Sequence, residues 1–281
     1  MQGKSRAEEL RLVHPSPADA ADVPSIPETA PCAISVENAT LQYPVGPYAR
    51  GSLKSSVLGL FGFREQKVET TYVDAIKGMN LNVSLGERVG VIGSNGSGKS
   101  TLLRALAGIY PLKEGSISVH GQIGTLLDIG LGFEQESTGR ENIYYRGMAM
   151  GHSPRTLRKV EQQIIDFADL GPFIDLPMRT YSSGMYVRLG FAISTQISPD
   201  VLLVDEVFGA GDAAFAQRAV ARMMEVVRHA GIVILASHDM QLIEQVCTRV
   251  VWLNNGVVVQ DGPPPAVIRQ FHDYMGGGLA L

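Results

Sequence analysis

Short apolar runs alternate along most of this chain with longer stretches whose apolar residues recur at helical spacing. Arg88-Val89-Gly90-Val91-Ile92, Val201-Leu202-Leu203-Val204 and Ile232-Val233-Ile234-Leu235-Ala236 are brief, continuous and largely β-branched, so each reads as a buried strand. Ile34–Leu41 reads as a further strand, closed by Gln42 and Tyr43. It alternates at Ile34 and Val36 and then shifts phase near Asn38, as a bulge would make it do. Val73–Ile76 and Met79–Val83 give two more strand candidates, followed by a turn at Leu85-Gly86-Glu87. Ser116–Val119 and Ile123–Leu127 follow, and a hairpin is expected between Val250–Trp252 and Val257–Gln260 around Asn254-Asn255-Gly256. Helices are expected at Thr101–Leu106, Glu141–Met150, Pro154–Asp169, Met185–Thr195, Ala214–His229, Gln241–Cys247 and Ala266–Met275. Buried strands alternating with helices predict an α/β fold on a parallel sheet, with the helical run after Ile123–Leu127 inserted into it. No internal repeat is visible.

Two regions break this pattern. Residues 1–31 carry Pro15, Pro17, Pro24, Pro27 and Pro31 among small and charged residues, and read as a disordered tail. Residues 44–71 interrupt a strand pair. Within them, a helix over Ser52–Phe63 would align Leu53, Val57, Leu60 and Phe61, either covering the core or facing a membrane or partner surface. Gly59 and Gly62 weaken that helix.

The 281 residues, 45% of them hydrophobic, suffice for one large domain or two small ones. A net charge of −4 argues against nucleic acid as the main partner. Cys32 and Cys247 lie far apart, without metal spacing, and suit a reducing compartment. The polar N-terminus does not read as a secretory signal, and no apolar run nears the roughly 20 residues that span a bilayer. Any membrane role is therefore expected to go through a partner.

The chemistry concentrates at Gly93-Ser94-Asn95-Gly96-Ser97-Gly98-Lys99-Ser100, followed by Thr101. Glycine, four residues, then Gly-Lys-Ser, placed between a strand and a helix, is a phosphate-binding loop. Glycines let the backbone wrap an anion closely, and the helix N-terminus favours negative charge. Lys99 is expected on the β- and γ-phosphates and the Ser100 hydroxyl on Mg²⁺. The spacing does not fit the dinucleotide fingerprint, so the ligand is read as a nucleoside triphosphate.

Asp205 and Glu206 end the run Val201–Val204. A carboxylate ending a buried strand beside a phosphate loop suits Mg²⁺, held through water, and this role goes to Asp205. Glu206 points to the other face of the pleat and is the candidate general base for the attacking water. His238 follows Ile232–Ala236 through Ser237, at the carboxyl edge where α/β sheets bind ligands, and is expected on the γ-phosphate or that water.

These residues, in this order, resemble the ATP-binding cassette family, the ATPase subunits of ABC transporters, over about residues 33–265. The resemblance implies a RecA-like parallel sheet core with an antiparallel β subdomain and an inserted helical subdomain at about 134–195. The cassette itself would occupy 32–281. It also implies a signature loop, which Tyr181-Ser182-Ser183-Gly184-Met185 offers. Ser182 and Gly184 match the commonest form, Leu-Ser-Gly-Gly-Gln, while Ser183 and Met185 depart from it. In the family this loop grips the γ-phosphate held by the other subunit, which implies a head-to-tail homodimer around two ATPs. Asp212 matches the family's dimer-contacting aspartate, and Tyr43 the aromatic that stacks on adenine. A glutamine usually follows the strand at 123–127 and reaches Mg²⁺. Gln135 lies beyond that place and Asp128 nearer to it, so either could supply the oxygen.

The variant residues are similar to one branch, the exporters of O-antigen, capsule and teichoic acid. They include Tyr-Ser-Ser-Gly-Met followed by Arg188-Leu189-Gly190-Phe191-Ala192, and Gly130-Leu131-Gly132-Phe133 leading to Ser137-Thr138-Gly139-Arg140-Glu141-Asn142-Ile143. They also include Asp205-Glu206-Val207 continuing to Gly211-Asp212-Ala213, and Ala236-Ser237-His238-Asp239-Met240. The implied protein is an ATPase on the cytoplasmic face of the inner membrane, docked on a dimeric permease that exports a lipid-linked glycan. The roughly 40 residues after His238 read as the end of the cassette, so the C-terminal carbohydrate-binding domain of some members is expected to be absent. The alternatives are an ABC ATPase for another cargo, or a soluble non-transport ABC ATPase.

Overall fold

The structure is a computed structural model, and it describes residues 32–45, 71–127, 129, 132–205 and 213–276. The tail at 1–31, the Ser52–Phe63 segment, Asp128, Glu206 and Asp212 lie outside the described residues.

Strand β1 (Cys32–Val45) pairs antiparallel with β2 (Thr71–Ser84) on one side and β4 (Glu114–Val119) on the other, giving a three-stranded sheet. The phase shift at Asn38 is a bulge: the register slips between Val36 and Ala39, and Asn38 has φ 46°. Gly115 in β4 makes room for it, since a Cβ there would stand 2.3 Å from the Asn38 carbonyl oxygen. The two strand candidates across 73–83 are one strand. Gly78 does not end it but kinks it at φ 56°, and its N–H donates to Thr40 Oγ1 at 3.0 Å. A side-chain acceptor replaces the lost ladder bond, so pairing resumes beyond the kink.

The second sheet has the order β5-β6-β7-β3-β8-β9, with β3 (Arg88–Ile92), β5 (Ile123–Leu126), β6 (Val201–Asp205), β7 (Ile232–Ala236), β8 (Arg249–Asn254) and β9 (Val257–Gly262). Only the β8–β9 pair is antiparallel, joined by a turn in which Asn255 and Gly256 have φ 48° and 80°. The parallel strands β3, β6, β7 and β8 are buried along nearly their whole length, which explains their apolar runs, while the edge strand β5 is only half-buried. In β6, Val201 and Leu203 enter a core shared with the three-stranded sheet and α1 (Lys99–Leu106). Leu202 and Val204 face the opposite core, which holds Phe215 and Met223 of α5 (Ala213–His229), Ile243 of α6 (Met240–Val246) and Val267 of α7 (Pro264–Gly276).

Between β5 and β6 the chain builds a helical layer from α2 (Gly139–Ala149), α3 (Pro154–Ala168) and α4 (Ser183–Ser194). It has its own core around Ile143, Val160, Ile164, Met178 and Leu189. Helix α4 also lends Phe191 to the α5 core, so it belongs to both. Each of these helices starts on a side-chain cap: Thr138 for α2, Ser153 for α3 and Ser182 for α4. Thr138 and Glu141 form a reciprocal capping box.

Candidate functional site

The loop between β3 and α1 is shaped by three glycines. Gly93, Gly96 and Gly98 have φ 151°, 80° and 109°. A Cβ on Gly93 would stand 2.2 Å from the Leu253 carbonyl oxygen, and one on Gly98 would stand 2.7 Å from that of Ala75. Gly96 meets nothing within 4 Å, so there the backbone angle alone requires glycine. Helix α1 has no side-chain cap, unlike α2, α3 and α4. Its first-turn N–H groups lack intrahelical acceptors and thus suit an external anion. Lys99 is only 7% exposed, and its Nζ donates to the carbonyls of Gly93 (2.8 Å) and Ser94 (3.1 Å), which hold the ammonium over the loop.

The loop floors a cleft of about 650 Å³. Tyr43 closes one end, its hydroxyl donating to Thr101 Oγ1 at 3.2 Å. Burial raises the Tyr43 phenol above its ordinary value. Ala75, Lys77 and Asn255 line the other walls, and sequence reasoning missed them. They reach the cleft because the β8–β9 turn is bonded to both neighbours: Gly256 N donates to Ser97 O at 2.9 Å, and Lys77 N donates to Gly256 O at 3.0 Å. The turn signal at Asn255-Gly256 was visible in the sequence, but nothing there says that it abuts the phosphate loop.

Asp205 ends β6, yet β6 is not next to the phosphate-loop strand. Asp205 pairs with Ala236 of β7, which pairs in turn with Val91 of β3. One strand intervenes, placing Asp205 about 10 Å across the sheet from β3 at ordinary strand spacing. His238 is exposed on the loop after β7. Ser237 N donates to Val91 O (3.4 Å) at the root of the phosphate loop, and the Asp239 carboxylate caps α6 by accepting from Gln241 and Leu242 N–H groups. His238 is thus carried at the carboxyl edge of the sheet between two anchored residues.

Ser182 caps α4 by accepting from Met185 N at 3.3 Å. Ser182 and Ser183 are exposed, Gly184 is half-buried, and Met185 packs against the helical core. A Cβ on Gly184 would meet only Ser182 Oγ, at 4.0 Å, so its own chain does not need glycine there. Gln135 also belongs to the helical layer: its side-chain oxygen accepts from the Tyr186 hydroxyl, and it is not among the cleft-lining residues. That hydrogen bond ties Gln135 to α4. The segment leading to it is fastened to the same layer. Arg146 Nη1 donates to Ile129 O at 2.6 Å, Asn142 Oδ1 accepts from Glu134 N at 2.8 Å, and a Cβ on Gly190 would stand 2.2 Å from Ile129 O.

A phosphate loop on a parallel α/β sheet, with a helical layer inserted beyond β5, defines a P-loop nucleoside-triphosphatase. The ABC transporter family profile matches residues 76–209. The O-antigen export system ATP-binding protein RfbE of Yersinia enterocolitica is 39% identical over 230 residues, covering 80% of this chain and 95% of that protein. RfbB of Klebsiella pneumoniae, of the same description, is 35% identical over 86% of this chain and 98% of its own. The Myxococcus xanthus O-antigen export ATP-binding protein RfbB is 39% identical over 222 residues, and there the match spans 51% of the relative, about half its length. Among solved structures, the ATP-binding cassette MJ0796 bound to ADP and Pi superposes with a TM-score of 0.62 at 19% identity, over 82% of this chain and 98% of that one. The chain belongs to the ABC transporter family, as an ATP-binding subunit in the branch of the surface-polysaccharide exporters.

Proposed function

We propose that this chain hydrolyses ATP to drive a membrane permease that exports a lipid-linked surface polysaccharide of the O-antigen kind. The observation that carries this reading is the glycine-shaped loop with buried Lys99, in a chain of which 80% matches an O-antigen export ATP-binding protein along 95% of that protein's length. The cassette would occupy 32–281 with its helical subdomain at about 134–195, and two copies would sit on the cytoplasmic face, each on a permease subunit.

In each copy the loop N–H groups from Gly93 to Thr101 and the Lys99 ammonium bind the phosphates, while Tyr43 receives the adenine ring. The oxygen donors of Ser100 and Asp205 suit Mg²⁺, with Asp128 as a further carboxylate. When bound, that ion neutralises charge on the β- and γ-phosphate oxygens. Ser182, Ser183, Gly184 and Met185 of the second copy close over the γ-phosphate, and Asp212 lines the contact between copies. Glu206 takes a proton from the water that attacks the γ-phosphorus as the bond to the β-phosphate oxygen breaks. His238 steadies that water or the γ-phosphate. Tighter binding of ATP to the closed dimer than to the open one is what moves the permease.

The test is complementation with Glu206→Gln in a strain lacking the chain, scoring surface glycan on gels and lipid-linked glycan inside the cell. Loss of the surface glycan with internal accumulation is expected. A normal surface glycan in the null strain would discard the polysaccharide assignment.

A further inference from the structure

Tyr43 is held from two directions. Its hydroxyl is bonded to Thr101 in the first turn of α1, and its ring meets that of Tyr110 edge-on, with centroids 5.4 Å apart and planes at 88°. Tyr110 lies outside the phosphate-loop motif, four residues past the end of α1, and is not among the cleft-lining residues. It is half-buried and packs with Tyr43 on the core shared by the two sheets. Gly108, at φ 71°, turns the chain back so that Ile109 N and Tyr110 N both donate to the Arg104 carbonyl, at 2.9 and 3.4 Å. The segment carrying Tyr110 is therefore fixed to the same helix that carries Thr101 and the phosphate loop.

We infer that Tyr110 is a positioning residue for nucleotide binding, locking the Tyr43 ring as a pre-set platform for the base without touching the nucleotide. An aromatic at a strand end can swing about χ1 and χ2, and each rotor frozen on binding weakens affinity. An edge-to-face partner and a hydroxyl bond freeze both torsions beforehand. Base recognition and phosphate recognition are also joined, because Tyr43 donates to a residue of the phosphate loop's own helix. This rests on Tyr43 being the base platform, as proposed above.

The test uses the purified full chain and two ligands, MgATP and Mg-tripolyphosphate, which keeps the phosphates but has no base. Dissociation constants are measured by calorimetry for wild type, Tyr110→Ala, Tyr110→Leu, Tyr110→Phe, Tyr43→Ala and the Tyr43→Ala/Tyr110→Ala double variant. Tyr110→Ala and Tyr110→Leu should weaken ATP about fivefold, within the range of an aromatic pair, and leave tripolyphosphate unchanged. Tyr110→Phe, which keeps the ring that packs on Tyr43, should restore most of the ATP affinity, and Tyr110→Ala should add nothing once Tyr43 is Ala. Unchanged ATP affinity in Tyr110→Leu, equal weakening of both ligands, or a full effect in the Tyr43→Ala background would each overturn the inference. Should Tyr43→Ala itself leave ATP affinity unchanged, the base platform is wrong and the inference falls with it.

Discussion

Ser97 and Gly98 are neighbours in the phosphate loop, but substitution should move them in opposite directions. Ser97 Oγ is buried, 2% exposed as a residue, and has no hydrogen-bond partner among the described residues. An unsatisfied buried hydroxyl costs about 1–3 kcal/mol. Ser97→Ala should therefore leave the melting temperature unchanged or raise it, and a fall of several degrees in a thermal melt would contradict the geometry. Gly98→Ala places a methyl 2.7 Å from the Ala75 carbonyl oxygen at φ 109°. It should cost roughly 2 kcal/mol or more of stability and at least tenfold in ATP affinity, read by the same melt and by calorimetry. The loop was legible in the sequence because its residues are contiguous and their spacing has a mechanism. Lys77 and Asn255 were not, because they arrive from other strands through the backbone bonds at Gly256. Glu206 carries the proposed proton transfer on sequence grounds alone.

The helices and strands themselves were mostly visible as periodicity, since their apolar residues face a core on one side or two. Misreadings came where a local signal meant something else in three dimensions. Val73–Ile76 and Met79–Val83 read as two strands and are one, kinked at Gly78, whose N–H is satisfied by Thr40. The place of β6 in the sheet, one strand away from β3, was not legible, because strand order is set by crossovers that sequence pattern does not reveal. Between elements, one contact carries a pH prediction. Glu161 on α3 accepts from the Tyr144 hydroxyl of α2 at 2.5 Å and pairs with Arg140 at 2.7 Å. Tyr144, and then Arg140, hold its carboxyl below the ordinary carboxylate value. A depressed folded-state value means the contribution is complete above the unfolded pKa and is lost as pH falls through the folded one. Acid should therefore loosen the α2–α3 pairing below about pH 4, near the unfolded glutamate value. In Tyr144→Phe this acid loss should shrink, with wild type and variant converging at low pH in chemical denaturation. Equal acid sensitivity in both would mean that the contact carries no linkage.

At the scale of the whole molecule, the phosphate loop and the signature loop proposed to face it from a second copy present themselves differently. The phosphate loop is packed against its own chain at Gly93 and Gly98, and at Gly96 its backbone angle demands glycine. The signature loop is not: Gly184 has open space where a side chain would go, and Ser182 and Ser183 face outward. A glycine that its own fold does not require, at an exposed helix N-terminus, is suited to contact with something outside the chain. If that something is the γ-phosphate held by a second copy, then Gly184→Val should be nearly silent in the single chain and damaging in the pair. The expected result is specific. Glu206→Gln, which on the proposed mechanism keeps ATP but slows its hydrolysis, should shift from one chain to two on adding MgATP, as read by light scattering after size exclusion. Adding Gly184→Val should abolish that shift while thermal stability and ATP affinity of the single chain stay within about twofold of the parent. A stable ATP-dependent dimer in the double variant would place the second grip on the γ-phosphate elsewhere. Collapse of the single chain would show that Gly184 has a packing role that the open space around it does not suggest.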